Sequence, residues 1–325
     1  MKLNNKFIIF NSADYKDGTN NKDGYYTICL EDLKQFPDIT IVGGPMPPVP
    51  KLLLFLIRVF RRLRIPTGIL RPLVSKKCID TERKSILLIM ILDPTYLHWL
   101  RLKYPKGVFV LFLRDLYVTK EPSVSIYRKE KLIDIWGSYD KDEKERYNMD
   151  FFYPEIESKL SFPGLDLSPT CDIFFAGAAK NRLPRLLEAY DYFTASGLKC
   201  HFIIMDANER ESDLREGIEY TKELIPYRQM LLHSIRCRCM LEINQEGAVG
   251  NTSRFLEAVM YNKRLITNST SVKEDAFYKP EFIKIFSDIK DIDPAFVKDD
   301  SVVDYHYNNE FSPIGLIECI NGILS

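Results

Sequence analysis

The stretch Leu241-Glu-Ile-Asn-Gln-Glu-Gly-Ala-Val-Gly-Asn-Thr-Ser-Arg-Phe-Leu-Glu-Ala holds the densest set of groups fit for chemistry. An apolar run leads into a loop with Gly247 and Gly250. The loop enters a helical pattern capped by Asn251, Thr252 or Ser253. Glycine lets backbone approach a ligand closely, and the first N–H groups of a helix have no intrahelical partners. Together with the positive end of the helix dipole they suit a diphosphate. Glu246 at the loop entrance and Glu257 in the helix would be costly to bury unpaired. Sugar hydroxyls suit both, because one carboxylate accepts two hydrogen bonds from a vicinal diol. Arg254 is placed to neutralise Glu257 or a phosphate. The plainer reading of the same residues is an ordinary turn before a capped helix, with Glu257 an exposed carboxylate.

Breaking a sugar–diphosphate bond requires a stabilised leaving group and, for inversion, a base that deprotonates the incoming hydroxyl. Backbone amides with Arg254 meet the first need without a metal. A base is expected from the first half of the chain, at the carboxyl end of a strand. Asp14, Asp93 and Asp115 each follow a predicted strand. Asp14 lies in Asp14-Tyr-Lys-Asp-Gly-Thr-Asn, a polar loop suited to an acceptor. All three also have an ordinary explanation as turn or cap residues, and retention of configuration would need no such base. Asp291-Ile-Asp293 comes late in the chain and reads as a helix start or surface pair, not a metal clamp. His98 and His201 fall inside a predicted helix and strand. The seven cysteines are scattered; Cys237 and Cys239, with His233 four residues before the first, read as small buried side chains and not as a zinc site.

The elements that must position these residues alternate. Short apolar runs and segments of helical period follow one another almost throughout, the mark of an α/β protein with mainly parallel sheets. Strands are predicted at Phe7–Phe10, Ile39–Val42, Ile86–Leu92, Val108–Leu113 and Leu132–Trp136. Helices are predicted over Tyr25–Phe36, Lys51–Arg64, Thr95–Tyr104 and Tyr139–Asn148. A second series starts with strand Cys171–Ala176 and helix Leu183–Ser196, followed by strand His201–Met205 and a helix from Pro226 to Ile235. Strand Arg238–Ile243, helix Ser253–Tyr261 and strand Arg264–Thr267 complete it. The 325 residues suit two domains. The Pro-containing stretch Tyr153–Thr170 reads as their linker, so the domains are expected over 1–157 and 158–325. The tail Pro313–Leu324 is an apolar helix that must bury one face.

The loop from Glu246, the helix carrying Glu257-Ala258 and the strand Asn262-Lys-Arg-Leu-Ile-Thr-Asn resemble the donor site of GT-B glycosyltransferases. They look most like bacterial enzymes of capsular, exopolysaccharide or lipopolysaccharide synthesis. The resemblance implies two Rossmann-like domains facing across a cleft, with the C-terminal helix packing back. It implies an N-terminal acceptor domain and a C-terminal donor domain that takes a nucleoside diphosphate sugar as substrate, with no further cofactor. By position, Glu246 would bind donor-sugar hydroxyls, Gly247 and Gly250 to Ser253 the diphosphate, and Glu257 the ribose. The ten residues between the glutamates make a longer loop than the family's usual spacing. Phe174-Phe-Ala-Gly-Ala-Ala-Lys-Asn-Arg resembles the first strand and loop of such a donor domain. There the chain turns at Gly177, and Lys180 and Arg182 are within reach of the diphosphate. Ile225-Pro-Tyr-Arg resembles the segment that contacts the base, which makes Tyr227 a candidate.

Charge adds a second feature. The 45 basic and 45 acidic residues cancel, yet no acidic residue occurs from Ile39 to Ile79, where Lys51, Arg58, Arg61, Arg62, Arg64, Arg71, Lys76 and Lys77 accumulate. Lys51–Arg64 reads as an amphipathic helix, too short to span a bilayer but able to lie on an anionic one; a packed helix with a solvated basic edge is the plainer account. The expected partners are therefore a nucleotide sugar, a glycan or lipid-linked acceptor and an anionic membrane surface touched by Lys51–Lys77. The expected location is cytoplasmic, on the inner face of the cell membrane where that contact forms. Nothing interleaves aromatics with the basic stretch in the way nucleic-acid stacking requires. No Gly-x-Gly-x-x-Gly follows the first strand of either half, which disfavours an oxidoreductase. A sugar-nucleotide epimerase of the same architecture and a non-catalytic sugar-nucleotide or glycan-binding protein are the alternative readings.

Overall fold

A computed structural model describes residues 3–11, 28–42, 48–114, 117–207, 210, 213–223, 225–244 and 252–324. Two compact units divide the chain. One holds the described residues up to Ser158 together with those from Phe311 onward, the other Lys159–Glu310. The last segment, counted with the second domain in the expected division at 158–325, groups with the first unit, as the expected packing back of the C-terminal helix implies. The cause is the apolar stripe of the final helix, which needs a core to bury it.

The first unit is built on a six-stranded parallel sheet of β1 (Lys6–Phe10), β2 (Ile39–Val42), β3 (Lys84–Leu88), β4 (Val108–Leu113), β5 (Ile135–Ser138) and β6 (Phe151–Phe152), in the order β2-β1-β3-β4-β5-β6. Its central strands are continuous apolar runs, as burial on both faces demands; Phe109 to Phe112 in β4 are wholly buried. The flanking helices are α1 (Lys51–Arg62), α2 (Pro94–Lys103), α3 (Tyr117–Lys129), α4 (Lys141–Arg146) and, after the second unit, Pro313–Ile323. In that last helix Leu316, Ile317 and Ile320, one face at helical spacing, pack with Phe7, Ile9 and Leu33. Gly315 lets the Tyr153 ring lie against that helix, since a Cβ would stand 2.0 Å from its hydroxyl and displace it.

The second unit repeats the plan with β7 (Cys171–Ala178), β8 (Cys200–Met205), β9 (Ile218–Thr221), β10 (Cys237–Glu242), β11 (Arg264–Thr267) and β12 (Ile283–Ile285). All are parallel, in the order β12-β11-β10-β7-β8-β9. Counted from β7 this is the 3-2-1-4-5-6 order of a dinucleotide-binding sheet. Its principal helices are α5 (Leu183–Ala195), α6 (Tyr227–Ile235) and α7 (Ser253–Met260). Both units are therefore Rossmann-like, as the resemblance implies.

Three sequence expectations change. Helix α3 escapes the periodicity reading because Pro122 interrupts it; burial of Val124 and Tyr127 holds the helix through that break. The strand expected over Leu132–Trp136 begins only at Ile135, because Leu132 belongs to the cap of α3, its N–H bonded to the Tyr127 carbonyl at 2.8 Å. The helix expected over Tyr25–Phe36 is described from Ile28 onward, with a 3-10 turn over Glu31–Gln35 that stops before Pro37.

Candidate functional site

In an open parallel sheet, ligands bind outside the carboxyl ends of two neighbouring strands whose connections run in opposite directions. In the second unit those strands are β7 and β10. After β7 the chain turns through Ala179–Arg182 into α5, with Lys180 exposed and in the left-handed region at φ 44°. After β10 it passes Ile243 and Asn244; the next described residue is Thr252, which opens α7. Helix α5, with Pro184 in its first turn, and α7 thus aim their amino ends at the same crevice.

A polar network fixes the floor of that crevice. Arg182 donates from Nε and Nη2 to the Ala178 carbonyl at 3.0 and 2.9 Å, and from Nη1 to the Ile243 carbonyl. Its guanidinium therefore clasps the end of β7 to the end of β10. Gly177 makes room for it: a Cβ there would lie 2.9 Å from Arg182 Nη2. The structure thus gives Gly177 and Arg182 a framework role at the site where the sequence suggested contact with a diphosphate.

Glu242, the last residue of β10, is buried and was missed by the sequence reading. Its carboxylate accepts from the hydroxyls of Thr252 and Thr267. Burial pushes its pKa up, opposed by those two hydroxyls and by the nearby Arg254 and Arg182. The signal available in the sequence was a carboxylate closing the apolar run Cys239–Leu241. Thr252 also caps α7, its Oγ1 accepting from the Arg254 amide at 3.2 Å, so one hydroxyl links the helix start to the carboxylate below it.

Glu257 is fully buried. Its Oε1 accepts from the Tyr227 hydroxyl at 2.9 Å and its Oε2 from Arg254 Nη1. Arg254, buried itself, also donates to Ser234 Oγ at 2.5 Å and to the Ala176 carbonyl at 3.3 Å. The structure therefore brings Tyr227, Arg254 and Glu257 together as one buried cluster joining α6, α7 and β7. It does not present Glu257 as an exposed helix carboxylate. Ser253 begins α7. Glu246, Gly247, Gly250 and Asn251 lie outside the described residues.

In the first unit the corresponding switch point lies between β1 and β3. Of the three candidate bases, Asp14 and Asp115 lie outside the described residues. Asp93 is exposed and caps α2, its Oδ1 accepting from the amides of Thr95 at 2.8 Å and Tyr96 at 3.3 Å. The segment before it is held by Tyr127, whose hydroxyl accepts from the Leu92 amide at 2.7 Å and donates to the Leu92 carbonyl. Cys237 and Cys239 are buried in β10, and burial raises both thiols. Asp293 accepts from the Ala295 amide at 2.9 Å, as a helix-start residue does. Among the described residues no group of three or more His, Cys, Asp or Glu is placed to hold a metal ion, and no helix is long and apolar enough to cross a membrane.

No protein-family profile matches the sequence, and no curated protein sequence matches it. Solved structures are similar in architecture. A UDP-N-acetylglucosamine 2-epimerase from Rickettsia bellii shares 9% identity over 98% of this chain and 95% of its own, with a TM-score of 0.47. A glycosyltransferase from Rickettsia africae shares 10% over 99% of each chain, with a TM-score of 0.45. The DNA-modifying enzyme β-glucosyltransferase shares 13% over 97% and 95%, with a TM-score of 0.47. At these identities and TM-scores the likenesses assign neither activity nor site residues.

Proposed function

We propose that this protein is a glycosyltransferase that moves a sugar from a nucleoside diphosphate sugar to a glycan or lipid-linked glycan acceptor, in the synthesis of a surface polysaccharide. The observation that carries the reading is the strand order of the second unit. It sets the Gly177–Arg182 turn and the amino end of α7 on either side of one switch point, where the sequence had suggested donor binding. Lys180 at the crevice and the Ser253 amide at the start of α7 would receive the diphosphate, with Gly247, Gly250 and Asn251 extending that cradle. Glu246 would take the donor-sugar hydroxyls. Tyr227, Arg254 and Glu257 would support the base and ribose from beneath as a rigid cluster, and Arg182 would hold the two strand ends at fixed spacing.

Leaving-group stabilisation by amides and Lys180 requires no metal, so transfer is expected to proceed in excess chelator. The first unit would supply the acceptor site and, for an inverting reaction, the base, with Asp14 and Asp115 the remaining candidates beside the capping Asp93. Contact with an anionic membrane through Lys51–Lys77 is supported by Leu52, Phe55, Leu63, Ile69 and Leu73, which stay exposed among the basic residues of that stretch.

A thermal-shift screen over the common nucleotide sugars, followed by an assay for released nucleoside diphosphate, tests the reading. A donor that raises the melting temperature by mass action and is turned over supports it. Binding without turnover, in the presence of varied acceptors, would point to a sugar-nucleotide-binding protein. Failure of every nucleotide sugar to bind would refute it.

A further inference from the structure

The first unit holds a cavity of about 650 Å³ at the opposite end of its sheet from the switch point, where α1 and α3 finish beside α2. Its floor is a hydrogen-bonded chain. Thr67 Oγ1 meets His98 Nδ1 at 2.8 Å, and His98 Nε2 meets Glu130 Oε2 at 2.6 Å. Arg61 donates to both oxygens of Glu130, at 2.8 and 3.2 Å. Thr67 and His98 are buried, and the floor is closed on itself: Arg61 neutralises Glu130, and Arg101 beside it is paired with Asp134 at 2.9 Å.

The rim differs. Arg64, Lys129 and Lys131 line the cavity and are exposed, and their side chains have no ion-pair or hydrogen-bond partner among the described residues. Arg64 and Lys131 hold the left-handed conformation, at φ 58° and 53°. Each occupies the residue after a helix cap. Ile65 N bonds to the Phe60 carbonyl and Arg64 N to the Arg61 carbonyl; Leu132 N bonds to the Tyr127 carbonyl and Lys131 N to the Arg128 carbonyl. This is the Schellman position, which glycine fills most easily. Two helix ends facing one cavity thus both carry a cation where a smaller residue fits the backbone better.

Charge magnitudes decide what the cavity suits. Three cations on the rim are uncompensated. The carboxyl ends of α1 and α3 each return about half a negative charge. The remainder is about two positive charges, matching the roughly −1.5 to −2 of a phosphate monoester near neutral pH. The volume exceeds that of a phosphate alone, and Ile65, Pro66 and Leu132 supply apolar lining.

We propose that this cavity is a binding site for a phosphoryl group carried on a larger ligand, with Arg64, Lys129 and Lys131 as its anion contacts. The site is separate from the donor crevice and does not rest on the glycosyltransferase reading. Such a phosphoryl group has two sources: a soluble phosphate ester, or a lipid headgroup whose chains would lie against the exposed Leu63, Ile69 and Leu73.

Isothermal titration of the full chain with glycerol 3-phosphate and with water-soluble dihexanoyl phosphatidic acid, at constant ionic strength, tests the proposal. The informative variant is Arg64→Gly with Lys131→Gly. It removes both charges and relieves both left-handed positions, so its melting temperature should hold or rise while phosphoryl affinity falls by about tenfold or more. Equal binding of both probes, unaffected by Leu63→Ser with Ile69→Ser, supports the site with a soluble ester as its source. Binding that favours the lipid and weakens in the serine variant supports it with a lipid source. Absence of saturable binding of either probe overturns it, and so does a double glycine variant that binds as tightly as the unaltered protein.

Discussion

Glu257→Gln separates a framework role for this carboxylate from a ligand-binding one. The substitution keeps the shape of the side chain and its contact with the Tyr227 hydroxyl. It leaves the Arg254 guanidinium, 7% exposed, with the Ser234 hydroxyl and the Ala176 carbonyl as its remaining oxygen partners. Removing one member of a buried ion pair costs about 3–5 kcal/mol, because the other charge stays buried and uncompensated. A domain has about 5–15 kcal/mol in total, so much of the second unit's stability should be lost. Replacing both members, Arg254→Met with Glu257→Leu, should cost about 1 kcal/mol or less. The sequence offers a convenient assay, since both tryptophans, Trp99 and Trp136, lie in the first unit. In a urea titration, tryptophan fluorescence follows that unit while far-UV circular dichroism follows both. At roughly 2 kcal/mol per molar urea, Glu257→Gln should bring in a dichroism transition about 2 M earlier, with the fluorescence midpoint nearly unchanged. A single variant that unfolds with the unaltered protein would refute the reasoning. So would a double variant as unstable as the single one, since the pair would then not explain the burial.

Other outcomes follow from the same crevice. Burial raises the Glu242 carboxyl, so the folded chain keeps that proton to higher pH than the unfolded chain. The stability this confers is whole below the ordinary glutamate value of about 4.3 and is lost as the pH rises through the raised value. Glu242→Gln should therefore gain stability relative to the unaltered protein as pH climbs from about 4 to 7, measured by urea midpoints at each pH; a constant difference would refute it. Gly177→Ala forces the Arg182 guanidinium away from a Cβ at 2.9 Å and should cost about 1–3 kcal/mol in the same titration. Lys180→Gly relieves a left-handed backbone and should stabilise by up to about 1 kcal/mol, while weakening donor binding by calorimetry. Unchanged donor affinity would remove Lys180 from the diphosphate site. Excess EDTA should leave nucleoside diphosphate release unchanged.

Much of this architecture is legible in residue patterns, for stated physical reasons. Val108–Leu113 and Arg264–Thr267 coincide with their predicted strands because runs of apolar side chains bounded by polar turns admit few other arrangements in a parallel sheet. Helix α3 is not legible, since Pro122 breaks its local signal and only tertiary burial of Tyr127 and Val124 restores it. Leu132 misleads for a related reason: the apolar residue that caps a helix looks the same as the first residue of a strand. Strand order is illegible in principle, because nothing in β7 or β10 alone says that they are neighbours, and the switch point between them exists only once they pair.

The same distinction runs through the candidate site. Residue type and spacing marked Gly177, Arg182, Arg254 and Glu257 as parts of one donor site; in the structure Arg182 bonds the ends of β7 and β10, and Arg254 bonds Glu257 and the Ala176 carbonyl. What spacing cannot express is direction. Arg182 points back across the strand ends, and Arg254 and Glu257 satisfy each other below the crevice. A charged side chain near a ligand site can hold the ligand or hold the frame, and its hydrogen-bond partners decide which. By that criterion Lys180, exposed on a left-handed turn, and the Ser253 amide at the start of α7 are the groups of this crevice, among the described residues, not spent on holding the frame. The guanidiniums and carboxylates beneath them set the spacing at which those groups stand.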